Sequence, residues 1–87
     1  MLIDPKPSFL RQVKKIFKKY PNLRKEFEVL VGKLADNPFD RSLKTHALSG
    51  ILKGRYSCSL TDDIRIIFKC DDNTIYLLDI GTHDEVY

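Results

Sequence analysis

Eighty-seven residues make one domain and leave no room for a second core. Hydrophobic residues form 43% of the chain, enough for a small core, and charged residues 31%, ordinary for a soluble protein, and no apolar run approaches the roughly 20 residues a membrane-spanning helix needs. The formal net charge of +3 hides a division: residues 1–55 hold thirteen Lys/Arg against five Asp/Glu, net +8, and residues 56–87 hold two against seven, net −5. A basic first half fits either an anionic partner, nucleic acid or an acidic protein segment, or a solvated helix surface.

Leu2-Ile3 reads as a short edge strand that Asp4-Pro5-Lys6-Pro7 ends; the same residues interrupt any signal-peptide core, so a cytoplasmic protein is expected. Ser8 is a suitable N-cap for a helix over residues 8–19. Phe9, Val13, Ile16, Phe17 and Tyr20 recur at i, i+4, i+7, i+8 and i+11, one helical stripe. Pro21 breaks the run and Asn22 can cap a second helix over 23–35, with Leu23, Phe27, Leu30, Val31 and Leu34 as its stripe. So short a joint predicts an antiparallel helical hairpin. Gly32 costs the second helix about 1 kcal/mol against alanine, which a close helix contact would explain. The polar faces carry Arg11, Lys14, Lys15, Lys18, Lys19, Arg24, Lys25 and Lys33. Asn37-Pro38 stops the second helix, and residues 37–46 lack periodicity, as in a loop.

The period then changes to two. Residues 55–60 alternate with Tyr56, Cys58 and Leu60 on one face; residues 64–70 alternate with Ile64, Ile66, Phe68 and Cys70 on one face; residues 74–80 form a third strand. Thr61-Asp62-Asp63 and Asp71-Asp72-Asn73 supply the turns. The expected fold is α+β in two layers over residues 1–87, with the N-terminal helical hairpin packed on an antiparallel sheet. A hairpin centred near Asp62 puts Cys58 opposite Ile66 and Ser59 opposite Arg65. The two cysteines are then small reduced core residues, and no Cys or His pair has metal-ligand spacing.

The opposite sheet face carries Arg55, Ser57 and Ser59 from one strand and Arg65, Ile67 and Lys69 from the next. Asp63 sits at the turn, His46 in the segment before the sheet, and His83 just behind it in Gly81-Thr82-His83. Tyr87 lies four residues beyond His83, so one helical turn places both on one side, and the apolar-aromatic end Val86-Tyr87 suggests a docked tail. Taken singly, these residues have structural roles open to them: Arg65 pairing with Asp63, His46 in a loop, His83 capping a turn, Tyr87 as a packing anchor. Taken together, they form a cationic face bordered by two histidines and an aspartate. Such a face suits RNA cleavage through the 2′-OH: imidazole moves the protons and arginine binds the phosphate.

The segments His46-Ala47-Leu48-Ser49-Gly50, Leu52-Lys53-Gly54, Tyr56-Ser57-Cys58-Ser59-Leu60, Asp63-Ile64-Arg65-Ile66-Ile67-Phe68 and Ile80-Gly81-Thr82-His83 through Val86-Tyr87, in this order and spacing, resemble the RelE/ParE superfamily of bacterial toxins, and within it the YafQ branch. The resemblance implies a microbial RNase-like fold. It also implies a type II toxin acting as an mRNA endoribonuclease on the translating ribosome, without a cofactor and with a cognate antitoxin as partner. YafQ-like enzymes use residues that match His46, Asp63, His83 and Tyr87, and RelE-like enzymes use an arginine that matches Arg65. Lys53, Arg55, Ser57, Ser59 and Lys69 are the expected RNA contacts. The chain departs from the pattern at Ser59, where YafQ-like chains carry a histidine and RelE-like chains carry lysines near Ser57 and Ser59. A serine hydroxyl replaces neither group as base or cation. Two other readings share the resemblance: a ParE-like toxin that blocks DNA gyrase without catalysis, and an attenuated toxin acting mainly in an antitoxin-repressor complex.

Overall fold

A computed structural model describes residues 1–87. In chain order the elements are β1 (Leu2–Pro5), α1 (Pro7–Lys19), α2 (Leu23–Asp36), β2 (His46–Ala47), β3 (Tyr56–Ser59), β4 (Ile64–Cys70), β5 (Thr74–Thr82) and α3 (His83–Val86). Single 3₁₀ turns at Arg41–Leu43 and Gly50–Leu52 flank β2. The strands form one sheet in the order β1-β5-β4-β3-β2. No helix is long and apolar enough to cross a membrane.

The helical stripes fall where the periodicity puts them. Phe9 and Val13 of α1 and Leu23, Leu30 and Leu34 of α2 are buried against Cys58, Ile66, Phe68, Ile75 and Leu77 of the sheet. Phe27 bridges the helices, its ring 5.8 Å from Phe9 and 5.4 Å from Phe17. Each such aromatic pair adds about 0.5–1.5 kcal/mol beyond its buried area. Gly32 serves no close contact, since a methyl group there would meet nothing within 4 Å.

Both helix starts differ from the capping expected. α1 begins at Pro7, with Lys6 in the cap position. Proline suits a first helical turn because its missing N–H would be unpaired there anyway. Ser8 is therefore already inside the helix, and its hydroxyl donates instead to the Leu78 carbonyl at 2.8 Å. Asn22 stands at the α2 cap position in a helical conformation and its side chain caps nothing. Backbone bonds from Leu23 and Arg24 to Tyr20 and Pro21 close that joint.

The sheet is mixed, not purely antiparallel. β2, β3, β4 and β5 pair antiparallel, but β1 lies parallel to β5. A hairpin forces antiparallel pairing only on consecutive strands, and β1 is separated from β5 in the chain by both long helices and strands β2, β3 and β4. His46 belongs to β2, paired with Ser57, and not to a loop. The β3–β4 register has Cys58 opposite Ile66 and Ser59 opposite Arg65. Both cysteines are free. Burial pushes the Cys58 thiol up to about 12, which keeps it protonated and unreactive at neutral pH.

The β4–β5 ladder slips once. Ile67 pairs with Asp79 and Phe68 with Leu77, which leaves Leu78 as an extra residue. This bulge changes the face that later residues take. Leu77 and Ile80 both point to the core, and Gly81 to the outside, opposite Arg65. The Ser8 bond ties the helical layer to that extra carbonyl.

In chemical denaturation, Phe68→Ala is expected to cost about 3–5 kcal/mol, as a cavity in a fully buried site. Ser8→Ala is expected to cost about 0.5–1.5 kcal/mol through one lost hydrogen bond.

Candidate active site

The β3–β4 turn is organised by Thr61, whose hydroxyl accepts the backbone N–H groups of Asp63 (3.2 Å) and Ile64 (3.0 Å). That local bond holds the turn and leaves the Asp63 side chain exposed. Arg65 does not pair with Asp63. Its Nη1 donates to the Ser59 hydroxyl at 2.9 Å and to the Thr61 carbonyl at 3.0 Å. Both acceptors are neutral, so the guanidinium is held in place with its charge uncancelled.

At the end of β5 the chain turns into α3 through a reciprocal cap. Glu85 N–H donates to the Thr82 hydroxyl (3.4 Å), and the Thr82 N–H donates to the Glu85 carboxylate (2.8 Å). Thr82-His83-Asp84-Glu85 has the S/T-x-x-E spacing of a capping box, a signal legible in the sequence that the periodicity reading passed over. These bonds hold the Glu85 carboxyl below the usual glutamate value. α3 then lies directly on Gly81, where a methyl group would sit 3.1 Å from Glu85 Cβ and 3.3 Å from Val86 Cγ1. The tail is thus docked. One turn brings Tyr87 back to His83, ring centroids 4.3 Å apart and edge to face, and the Tyr87 N–H donates to the His83 carbonyl. His83 Nδ1 lies 3.6 Å from Asp84 Oδ1 with both groups exposed, a contact that depends on the imidazole charge and that solvent weakens.

A cleft of about 520 Å³ opens between the α1–α2 joint, the β3–β4 turn and the start of α3. Asp63 and His83 both line it, together with Tyr20, Asn22, Asp62 and Asp84. Neither Tyr20 nor Asn22 stood out in the sequence. One looks like the end of an apolar stripe and the other like a helix cap, but Tyr20 is 40% exposed. The cleft holds three carboxylates and no lysine or arginine. Its own lining therefore disfavours a phosphate in its depth, and Arg65 touches that lining only through the Thr61 carbonyl.

The other candidates lie further off. Paired with Ser57, His46 shares the outward sheet face. It stands three strands from β5, about 14 Å at ordinary strand spacing, with Nδ1 3.3 Å from the Lys44 carbonyl oxygen. Lys53, Arg55 and Lys69 are exposed, and Lys69 Nζ sits 5.8 Å from the Tyr76 ring centroid. Ser57 does not fit its expected role as an RNA contact. It is wholly buried, and its hydroxyl has no hydrogen-bond partner. Strands flank it on both sides, and its short side chain lies between the longer His46 and Ile67. Ile67, read as outward, does face away from the helices but is only 2% exposed. No three His, Cys, Asp or Glu side chains gather as a metal site.

A family model described as a bacterial toxin of type II toxin-antitoxin systems, YafQ, matches residues 1–87. No protein of curated function matches the sequence. Among solved structures, a metal-bound toxin from Helicobacter pylori superposes with a TM-score of 0.84 at 29% identity, covering 100% of this chain and 99% of that one. YafQ from E. coli, solved alone and in the DinJ-YafQ complex, gives 0.83 at 23% identity over 98% of this chain and 96% of that one. A YoeB/ParE toxin from Agrobacterium tumefaciens gives 0.79 at 15% identity over 95% and 99%.

Gly81→Val is expected to lift α3 from the sheet, seen as faster amide exchange at Thr82 and Glu85 with the core amides unchanged. The Thr82–Glu85 cap has a pH signature. The folded Glu85 pKa is lowered, so the cap is fully present at neutral pH. It is lost as the pH falls through that value, below the usual 4.5, and amide exchange at Thr82 is expected to rise there first.

Proposed function

The chain belongs to the YafQ family of type II toxin-antitoxin toxins, and on that footing we propose that it is an endoribonuclease that cuts mRNA on the translating ribosome. The observation that carries this reading is that Asp63 and His83, from the ends of different strands, face one cleft beside the uncancelled charge of Arg65.

In the proposed reaction the RNA supplies its own nucleophile. Asp63 takes the proton from a 2′-OH, whose oxygen attacks the adjacent phosphorus. The bond to the 5′-oxygen breaks as His83 protonates it, leaving a 2′,3′-cyclic phosphate and a free 5′-OH. Arg65 stabilises the charge that builds on the phosphate oxygens, through N–H groups other than the Nη1 pair spent on Ser59 and Thr61. Tyr87 backs the imidazole and offers a ring to a neighbouring base. His46, across the sheet, meets the RNA strand away from the reacting phosphate, as do Lys53, Arg55 and Lys69. Ser59 acts as a positioning residue for Arg65, not as a base. No step requires a metal ion.

E. coli YafQ has been solved in complex with DinJ. By that likeness this toxin has a cognate antitoxin, which blocks the Arg65–His83 face and neutralises the basic helices with acidic and apolar residues.

The test is primer extension on mRNA from a translating extract given the purified protein. The wild type is expected to produce new 5′ ends. His83→Ala and Asp63→Asn are each expected to slow cleavage by about 10²–10⁴-fold, and Arg65→Ala by about 10²–10³-fold. Intact mRNA together with inhibited gyrase supercoiling would overturn this reading in favour of a ParE-like toxin. The specific observation behind an attenuated toxin is Ser59, a group that cannot titrate and that already accepts from Arg65. Intact mRNA with normal growth on strong expression would establish that reading instead.

A further inference from the structure

The proposed reaction uses Asp63 and His83 of the cleft and gives its other polar side chains no task. Asn22 stands at the α2 cap position, yet its side chain caps nothing. Tyr20 closes α1 with its ring partly exposed, and Lys19 Nζ lies over one face of that ring, 5.4 Å from the centroid. Asp84 faces His83 Nδ1 at 3.6 Å. Asp62 takes part in neither ion pair of the molecule. A volume of about 520 Å³ falls within the range of small-ligand sites.

The carboxylates of Asp62, Asp63 and Asp84 turn a phosphate away from this space. What an RNA strand can place there is its uncharged part, a base. An ionised carboxylate only accepts hydrogen bonds, so the base must present donors. Guanine carries N1–H and its amino group side by side on the Watson–Crick edge, and a single carboxylate can accept from both. Adenine and cytosine set their amino group beside a ring nitrogen that accepts. Uracil sets its N–H between carbonyl oxygens, which a carboxylate repels. The Asn22 amide can donate to the remaining atom of the guanine edge, O6. From this arrangement we infer that the cleft is a guanine-binding pocket that selects the nucleotide beside the cut. Asp62 reads N1–H and the amino group, Asn22 reads O6, and the Tyr20 ring stacks on the base. A lysine or arginine side chain of a partner fits less well, because it carries donors only and leaves the Asn22 amide N–H unanswered. The inference deepens the nuclease reading and rests on it for the placement of the guanine beside the cut. The pocket itself is tested without cleavage.

The probe is guanosine monophosphate, titrated into the isotope-labelled protein and followed by backbone amide shifts, with the adenosine, cytidine and uridine monophosphates in parallel. Shifts are expected at Asn22, Asp62 and Asp84, and guanosine monophosphate is expected to bind at least about tenfold more tightly than uridine monophosphate. Asp62→Asn separates reading from charge. Loss of a negative charge alone would tighten every nucleotide alike. The pocket instead predicts that guanosine monophosphate binds at least about tenfold more weakly while uridine monophosphate does not weaken. Tyr20→Ala is expected to weaken every nucleotide at least about fivefold, and Tyr20→Phe to stay within about twofold of the wild type, because stacking needs the ring and not the hydroxyl. Asp72→Asn makes the same charge change between β4 and β5, at the opposite end of β4 from Asp62, and is expected to change binding less than about twofold. The amide spectrum of each variant checks that it is folded. Equal binding of the nucleotides, shifts confined to Arg65 and its neighbours, tighter binding of guanosine monophosphate in Asp62→Asn, or no binding would overturn the proposal. So would acetyl-arginine amide moving the same amides at lower concentration than guanosine monophosphate. In the translating extract, new 5′ ends are expected to show guanine beside the cut, and Asp62→Asn to lose that preference while still cutting. Intact mRNA there counts against the nuclease reading and leaves the titration result standing, so the two fail separately.

Discussion

At Leu78 the ladder between β4 and β5 takes in one extra residue, and that slip governs the C-terminal quarter of the molecule. Without it, strict alternation would turn Ile80 outward and Gly81 inward. With it, Ile80 joins the core and Gly81 faces out beside Arg65. A Cβ at Gly81 would stand 3.1–3.3 Å from Glu85 and Val86, tighter than ordinary contact, so glycine lets α3 lie this close to the sheet without adjustment. The bulge is tied to the helical layer through the Ser8 hydroxyl, which bonds the Leu78 carbonyl. Packing of α1 on the sheet and placement of His83 are thus coupled through one short segment of β5.

Electrostatics divides the candidate site in two. On one side lies the cleft shared by Asp63, His83, Asp62 and Asp84, rich in carboxylates. On the other lies Arg65, held by two neutral oxygens. In the proposed reaction a phosphate at the boundary meets the cation on the sheet and the Asp63 and His83 side chains at the cleft rim. This arrangement also gives Ser59 a role. It supplies no ionisable group, but its oxygen holds the Arg65 guanidinium in place. A histidine or lysine there would add chemistry and give up that particular bond.

The helical layer carries a different kind of charge. Its lysines and arginines take no part in the two close ion pairs of the molecule, Lys6–Asp4 and His83–Asp84, and the apolar stripe that packs on the sheet does not use Leu10. One helix thus serves the core with one side and leaves a basic, partly apolar groove on another.

Local pattern was enough for the two helices, the three long strands, the register that sets Ser59 opposite Arg65, and the proximity of His83 to Tyr87. These follow from side-chain periodicity and turn chemistry, which act over a few residues. The S/T-x-x-E cap of α3 was equally local, though less conspicuous than the apolar stripes. The parallel pairing of β1 with β5, the strand at His46 and the burial of Ser57 depend on neighbours distant in sequence, and no local pattern encodes them. The bulge belongs with them: alternation cannot show where a ladder gains a residue, because the slip is decided by how β5 meets both β4 and the start of α1. Asp63 and His83 come from opposite ends of the β4–β5 hairpin, and only that pairing, with the helical joint closing over it, makes them one cleft. The sequence by itself determined which chemical groups the protein carries and which local elements hold them. The tertiary structure alone decided which of those groups meet, since long-range strand pairing and the bulge set the sheet face on which each side chain emerges.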